Sequence, residues 1–225
     1  MQHAILFDFN GVILDDEPIH LRLFNEGLAP LGYRIDAADY YDKYVGFDDT
    51  DGFAAAVADQ GGNLDRAVLD RLIREKAVRY QALMDSRPPL FPGAAELIRR
   101  LAHRYPLAIA SGALRGEIEG VLATVGLADS FQVIVAAEDV SRGKPDPEGY
   151  LIALAALRHG GQPALTADRC LVIEDTVAGV VAAKAAGMRC LAVAHTYPAE
   201  RLHQADLVRP TIAAVNLEEI DGVLA

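Results

Sequence analysis

The stretch AILFDFNGVILDDEP, residues 4–18, decides how the rest of the chain is read. An apolar run enters Asp8, the chain turns at Gly11, and a second apolar run ends in the acids Asp15, Asp16 and Glu17. A short continuous apolar run bounded by turn residues predicts a strand buried on both faces, the kind found in parallel sheets covered by helices. A carboxylate at the end of such a strand is expected where the carboxyl edge of the sheet carries a site. The same stretch places an amide, Asn10, two residues beyond the acid.

Outward from this stretch the pattern repeats. PLAIAS (106–111), FQVIVAAED (131–139), RCLVIED (169–175) and MRCLAVA (188–194) are further strand-like runs, giving five in all. Helical segments separate them. PGAAELIRRLAHR puts Ala94, Leu97, Ile98 and Leu101 at helical spacing, GEIEGVLATVG closes at Gly126, and DPEGYLIALAALRHG closes at Gly160. TVAGVVAAKAAG opens at Thr176 and closes at Gly187. Strands alternating with helices predict an α/β protein with an open, doubly wound parallel sheet. Asp8, Ser111 and the pair Glu174-Asp175 then stand where three strands end.

Residues 17–87 break this rhythm. Apolar positions recur there at helical spacing, and no strand is predicted. The chain therefore reads as a core of residues 1–16 and 88–225 with an all-helical insert at 17–87. LDDEP and the proline-rich SRPPLFPG (86–93) form the two crossings, a natural hinge.

Composition narrows the partners. Hydrophobic residues make up 52% of 225, with mean hydropathy +0.15, so the chain can bury a core. The net charge is -11 and no basic patch stands out, which argues against nucleic acid. No apolar run reaches the ~18 residues of a membrane span, and no leader pattern is seen, so no membrane association and a cytoplasmic location are expected. Cys170 and Cys190 flank apolar runs and read as buried reduced thiols. A monomer is expected.

Three converging carboxylates would repel each other and raise one another's pKa unless a cation joined them. Hard oxygen ligands select Mg²⁺. Lys144 and the Ser111 hydroxyl could bind a tetrahedral oxyanion, with backbone N–H groups near Gly11 and Gly112 adding donors. One carboxylate left as nucleophile would complete the parts needed for phosphoryl transfer through an aspartyl phosphate.

FDFNGVILDDEP, IASGA, RGKPDPEGY and VIEDTVAGVVAAKAAGM, in that order, resemble the motifs of the haloacid dehalogenase-like superfamily. The resemblance is to its β-phosphoglucomutase and phosphoglycolate-phosphatase-like branch, covers essentially the whole chain, and implies a Rossmann-like core with a helical cap. It implies Asp8 as the phosphorylated nucleophile, and Ser111 and Lys144 as phosphate-binding groups. It implies Asp8, the Asn10 backbone carbonyl, Glu174 and Asp175 around Mg²⁺, with Glu174 a direct or indirect partner. His20 and Lys76 fall at cap positions that often approach the site. For His20 a plain helix-surface role stands equally, and for Lys76, inside the charged run RLIREKAVRY, a solvated helix face is expected. His3, His103, His159, His195 and His203 read as structural or surface residues.

Asn10 departs from the pattern, since the phosphatases and mutases carry an acid there. A carboxamide cannot trade a proton, and general acid–base help contributes ~10²–10⁴-fold. The substrate could have a leaving group that needs no proton. Another acid (Asp15, Asp16, Glu17, His20 or the loop VGFDDTD) could substitute. The protein could bind a phosphorylated ligand without turnover, or the amide could have been introduced to trap a complex. Asn-Gly is also prone to deamidation, which would return an acid. Asp48, Asp49 and Asp51 stand where relatives that use sugar phosphates often carry basic residues, and read here as a helix cap plus solvated charge. The expectation is a Mg²⁺-dependent phosphatase of a small phosphorylated metabolite, with an impaired phospho-ligand binder second and a phosphomutase third. A phosphonatase would need a cap lysine, and only Lys43 and Lys76 are present in the insert.

Overall fold

The computed structural model describes residues 3–45, 47 and 49–225. The chain divides into two compact units, residues 1–15 with 88–225, and residues 16–87. β1 (Ala4–Phe7) opens the first unit with every residue buried.

The second unit is helical in its described residues: α1 (Glu17–Leu28), α2 (Ala37–Asp39) running on into a wider π-type turn through Tyr44, α3 (Asp49–Ala58) and α4 (Arg66–Ser86). Pro18 and Glu17 suit the first turn of α1, where a missing N–H costs nothing and a negative charge meets the helix dipole. Phe24, Leu28, Tyr40, Phe53, Val57, Leu69 and Leu72 share one core. Along α4 the buried residues are Leu69, Leu72, Lys76, Tyr80 and Met84. The lysine thus occupies a place in an apolar stripe at helical spacing, and the expectation of a solvated face fails there.

The first unit continues with α5 (Ala94–Ala102), β2 (Leu107–Ala110), α6 (Arg115–Thr124), β3 (Val133–Val135), α7 (Glu148–His159), β4 (Cys170–Glu174), α8 (Val177–Ala185), β5 (Arg189–Val193), β6 (Leu207–Arg209) and α9 (Leu217–Leu224). α5 buries Ala94, Leu97, Ile98 and Leu101, the four positions its spacing marks. Among the described residues six strands form one sheet in the order β3-β2-β1-β4-β5-β6, with all pairings parallel. This is an α/β doubly wound core. The sequence reading lacked β6, an edge strand of three half-buried residues.

The strand order reverses beside β1. β1 pairs with β2 on one side and β4 on the other, with Phe7 in register with both Ile109 and Ile173. Connections leave in opposite directions at that point and open a crevice beyond the carboxyl ends of β1 and β4. Both cysteines are buried and unbridged. No helix among the described residues is long and apolar enough to cross a membrane.

Candidate active site

Asp8 follows β1 and continues its ladder, donating its N–H to Ile173 O at 3.0 Å. The chain then closes a tight loop. Ile13 and Leu14 both donate to Phe9 O, and Gly11 N–H donates to Leu14 O at 2.9 Å. Gly11 has φ +75°, and a Cβ there would overlap the Asp175 carboxylate. Only glycine lets the two loops approach this closely. The amide nitrogen that would attack the Asn10 side chain in deamidation is the one tied to Leu14, so the loop opposes that reaction.

Four side chains meet beyond β1 and β4. Lys144 Nζ lies 2.8 Å from Asp8 Oδ1 and 2.6 Å from Glu174 Oε1. Glu174 ends β4 and is fully buried. Its Oε1 also accepts the Tyr150 hydroxyl at 2.9 Å. Its Oε2 accepts the Asp175 N–H at 2.9 Å and the Thr176 N–H and hydroxyl, each at 3.0 Å. Thr176 in turn caps α8 by accepting Gly179 N–H.

The protonation balance follows from these contacts. Burial drives the Asp8 carboxyl above its ordinary value, against the pull of Lys144. Burial opposes ionisation of Glu174 as well, but Lys144 and its hydrogen bonds prevail and hold it low. Burial would pull Lys144 down, yet Asp8 and Glu174 together hold it up. Asp175 is held well above its ordinary value by burial, then by Glu174 and Asp8. Lys144 is thus paired with two acids, and the third, Asp175, forms no ion pair among the described residues.

Asp175 Oδ2 accepts the Thr196 hydroxyl. Its Oδ1 is buried and has no hydrogen-bond partner among the described residues. Asp8, Glu174 and Asp175 each offer an oxygen within 4.8 Å of the others. An all-oxygen set with surplus negative charge and an unsatisfied buried oxygen fits a hard divalent cation.

Ser111 is buried directly after β2 and accepts Ala113 N–H at 3.3 Å. Ser111, Gly112 and Lys144 line one pocket of about 290 Å³, with Ala110, Val135, Val140 and Tyr150 forming apolar walls. Asp8, Lys144, Glu174 and Asp175 are therefore brought together, and Ser111 and Gly112 share a pocket with Lys144. Asn10 is half-buried in the loop after β1.

His20 sits on α1 in the helical unit. Its Nδ1 accepts from Lys76 Nζ at 2.8 Å, because an ammonium can only donate. Its Nε2 therefore carries the proton and donates to Asp16 Oδ2 at 3.2 Å, an oxygen that also accepts the Tyr80 hydroxyl. Lys76 pairs with Asp49 Oδ1 at 2.5 Å and lies 4.6 Å from the Phe24 ring centroid. Asp49 is thus the partner of a buried lysine rather than solvated charge. Gly46 and Asp48 lie outside the described residues.

Three residues of the α/β unit escaped the sequence reading of the site. Tyr150 stands on the otherwise apolar buried face of α7, where a phenol needs a partner. Thr196 follows β5 at the same sheet edge that carries the acids. His195 read as structural, and its Nε2 accepts Ile212 N–H while its Nδ1 donates to Gly11 O at 2.7 Å. Its ring stacks on Phe91 with centroids 3.8 Å apart.

Comparison with known proteins places this geometry. The profile of the haloacid dehalogenase-like hydrolases matches residues 5–193. Validoxylamine A 7'-phosphate phosphatase of Streptomyces hygroscopicus subsp. limoneus is 32% identical over 98% of this chain and 99% of its own. Fructose-1-phosphate phosphatase YqaB of Escherichia coli is 35% identical over 82% of this chain and 93% of its own. Among solved structures, a CbbY mutant from Rhodobacter sphaeroides, with asparagine in place of an aspartate, was captured with xylulose-1,5-bisphosphate. It superposes with TM-score 0.77 at 29% identity, covering 96% of this chain and 97% of that one. The chain belongs to the haloacid dehalogenase-like hydrolase family.

Proposed function

We propose that the protein is a Mg²⁺-dependent phosphatase of a small phosphorylated metabolite of the sugar-phosphate kind, acting through an aspartyl phosphate on Asp8. The observation that carries this reading is the Lys144 ammonium shared by Asp8 and Glu174 beside a buried Asp175 whose Oδ1 has no hydrogen-bond partner among the described residues. Asp8, the Asn10 backbone carbonyl, Glu174 and Asp175 are the residues assigned to hold the metal. Bound there, Mg²⁺ would neutralise the surplus charge and polarise the phosphoryl oxygens.

The chain's own residues do the rest. Lys144 fixes one oxygen of Asp8 and favours its ionised form against burial, and an Asp8 oxygen attacks phosphorus as the bond to the leaving oxygen breaks. The Ser111 hydroxyl and the Gly112 N–H are assigned to the phosphoryl oxygens, where donors stabilise developing charge. Water then attacks phosphorus, releasing phosphate and restoring Asp8. The helical unit is assigned the role of a substrate-selecting cap, with His20 its substrate-contacting residue. Relatives named for validoxylamine A 7'-phosphate and for fructose 1-phosphate support the substrate class.

Asn10 can donate a hydrogen bond to the leaving oxygen but no proton. Substrates whose leaving group needs none are favoured. The second reading, a phospho-ligand binder without turnover, draws support from the asparagine-substituted CbbY captured with its bisphosphate. Hydrolysis of an activated phosphate ester with Mg²⁺ separates the two. Turnover by the unaltered protein that vanishes in Asp8→Ala supports the phosphatase, and turnover only after Asn10→Asp supports the binder. A sugar phosphate isomer in place of inorganic phosphate would mark a phosphomutase.

A further inference from the structure

The segment after β5 places two consecutive side chains against the two loops that build the site. His195 Nδ1–H donates to Gly11 O at 2.7 Å. Thr196 Oγ1–H donates to Asp175 Oδ2. Gly11 itself has no Cβ because that same Oδ2 occupies the space. The Asp175 carboxylate is therefore bounded on its Oδ2 side by the Gly11 backbone and the Thr196 hydroxyl. Its other oxygen, Oδ1, is buried and without a hydrogen-bond partner among the described residues.

A carboxylate can turn about its last torsion, which is broad and roughly two-fold. A single donor on one oxygen removes that freedom and decides which oxygen faces the site. We propose that Thr196 is a positioning residue, which anchors Asp175 Oδ2 so that Oδ1 is offered to the divalent cation. This rests on the reading of Asp175 as a metal ligand. Outer hydrogen-bond partners of ligating carboxylates typically change metal affinity by ~10–100-fold when lost. A merely structural threonine would change melting and leave affinity alone.

The test is direct binding of Mn²⁺, with Mg²⁺ in competition, to the full-length protein without substrate, by isothermal titration. Thr196→Val keeps the shape and loses the donor, and Thr196→Ser keeps the donor and loses a methyl group. The expected result is a loss of Mn²⁺ affinity of about 10–100-fold in Thr196→Val. Affinity should lie close to the unaltered protein in Thr196→Ser, and metal-free melting should be similar in both. At saturating Mg²⁺ the valine variant should recover its turnover, because the defect is in affinity. Should valine prevent folding, Thr196→Ala carries the same expectation. Unchanged affinity in the valine or alanine variant, or an equal loss in the serine variant, overturns the proposal while leaving the metal reading intact. Absence of Mn²⁺ and Mg²⁺ binding by the unaltered protein overturns both.

Discussion

Lys144 Nζ stands 2.8 Å from Asp8 Oδ1, an ion pair whose lysine also reaches the fully buried Glu174. Two buried acids depend on one cation. Breaking a buried pair by removing one partner leaves an uncompensated charge and costs about 3–5 kcal/mol.

Lys144→Met is therefore expected to lose stability of that order at pH 8, measured by urea unfolding. The pH dependence identifies the cause. In the unaltered protein Glu174 is held low, so its contribution is present above its ordinary value and is lost as pH falls. In the variant, burial without Lys144 favours protonated acids, so the deficit should shrink as pH falls. A deficit independent of pH would contradict this account.

Asn10→Asp is expected to raise turnover of alkyl phosphates by ~10²–10⁴-fold, the usual worth of a general acid–base group. It should change the hydrolysis of an acyl phosphate little, because that leaving group needs no proton. Steady-state rates on both substrates check this. Peptide mapping of aged unaltered protein should show Asn10 intact, since the Gly11 N–H is held by Leu14. Equal acceleration on both substrates would place the added acid in another step.

Lys76 gives a prediction in the helical unit. The lysine is buried and paired with Asp49 and His20. Lys76→Met should cost about 1–3 kcal/mol by leaving these groups unsatisfied, against under about 0.5 kcal/mol for a solvated helix face. Lys76→Met with Asp49→Asn should recover part of the loss in a double-mutant cycle. Strict additivity would mean that the pair contributes nothing.

His195 gives a prediction at mildly acid pH. Burial depresses its pKa below the ordinary 6.5, and its Nε2 is an acceptor for Ile212 N–H, so the ring is neutral in the folded protein. A depressed value contributes stability that is complete above pH 6.5 and is lost as pH falls through the folded value. His195→Gln, which cannot titrate, should be less stable at pH 8 and lose less between pH 7 and pH 5. Parallel curves would show that the ring does not titrate with folding.

These residues also show how far the sequence could be read. The runs at 4–7, 107–110, 133–135, 170–174 and 189–193 are legible as strands because they are short and almost wholly apolar, and β1, β2 and β4 are buried at every residue. β6 was not, because an edge strand such as Leu207–Arg209 needs neither feature. Asp8, Ser111 and Glu174 stood out as polar residues at the ends of apolar runs. Lys76 misled because local charge density, not its place one turn from Leu72 and Tyr80, dominated the reading. Thr196 and Tyr150 carry no pattern of their own. Their roles depend on which oxygen of Asp175 or Glu174 lies within reach, and that is set by the packing of strands distant in sequence.

The central claim is that Asp8 is a phosphoryl-accepting nucleophile in a Mg²⁺ site. The most direct test is hydrolysis of acetyl phosphate above its uncatalysed rate, since that substrate needs no acid at position 10. The account predicts phosphate release by the unaltered protein with Mg²⁺, loss on chelation, and loss in Asp8→Ala with the fold retained. Release at the same rate by Asp8→Ala, or no release by the unaltered protein, would contradict it.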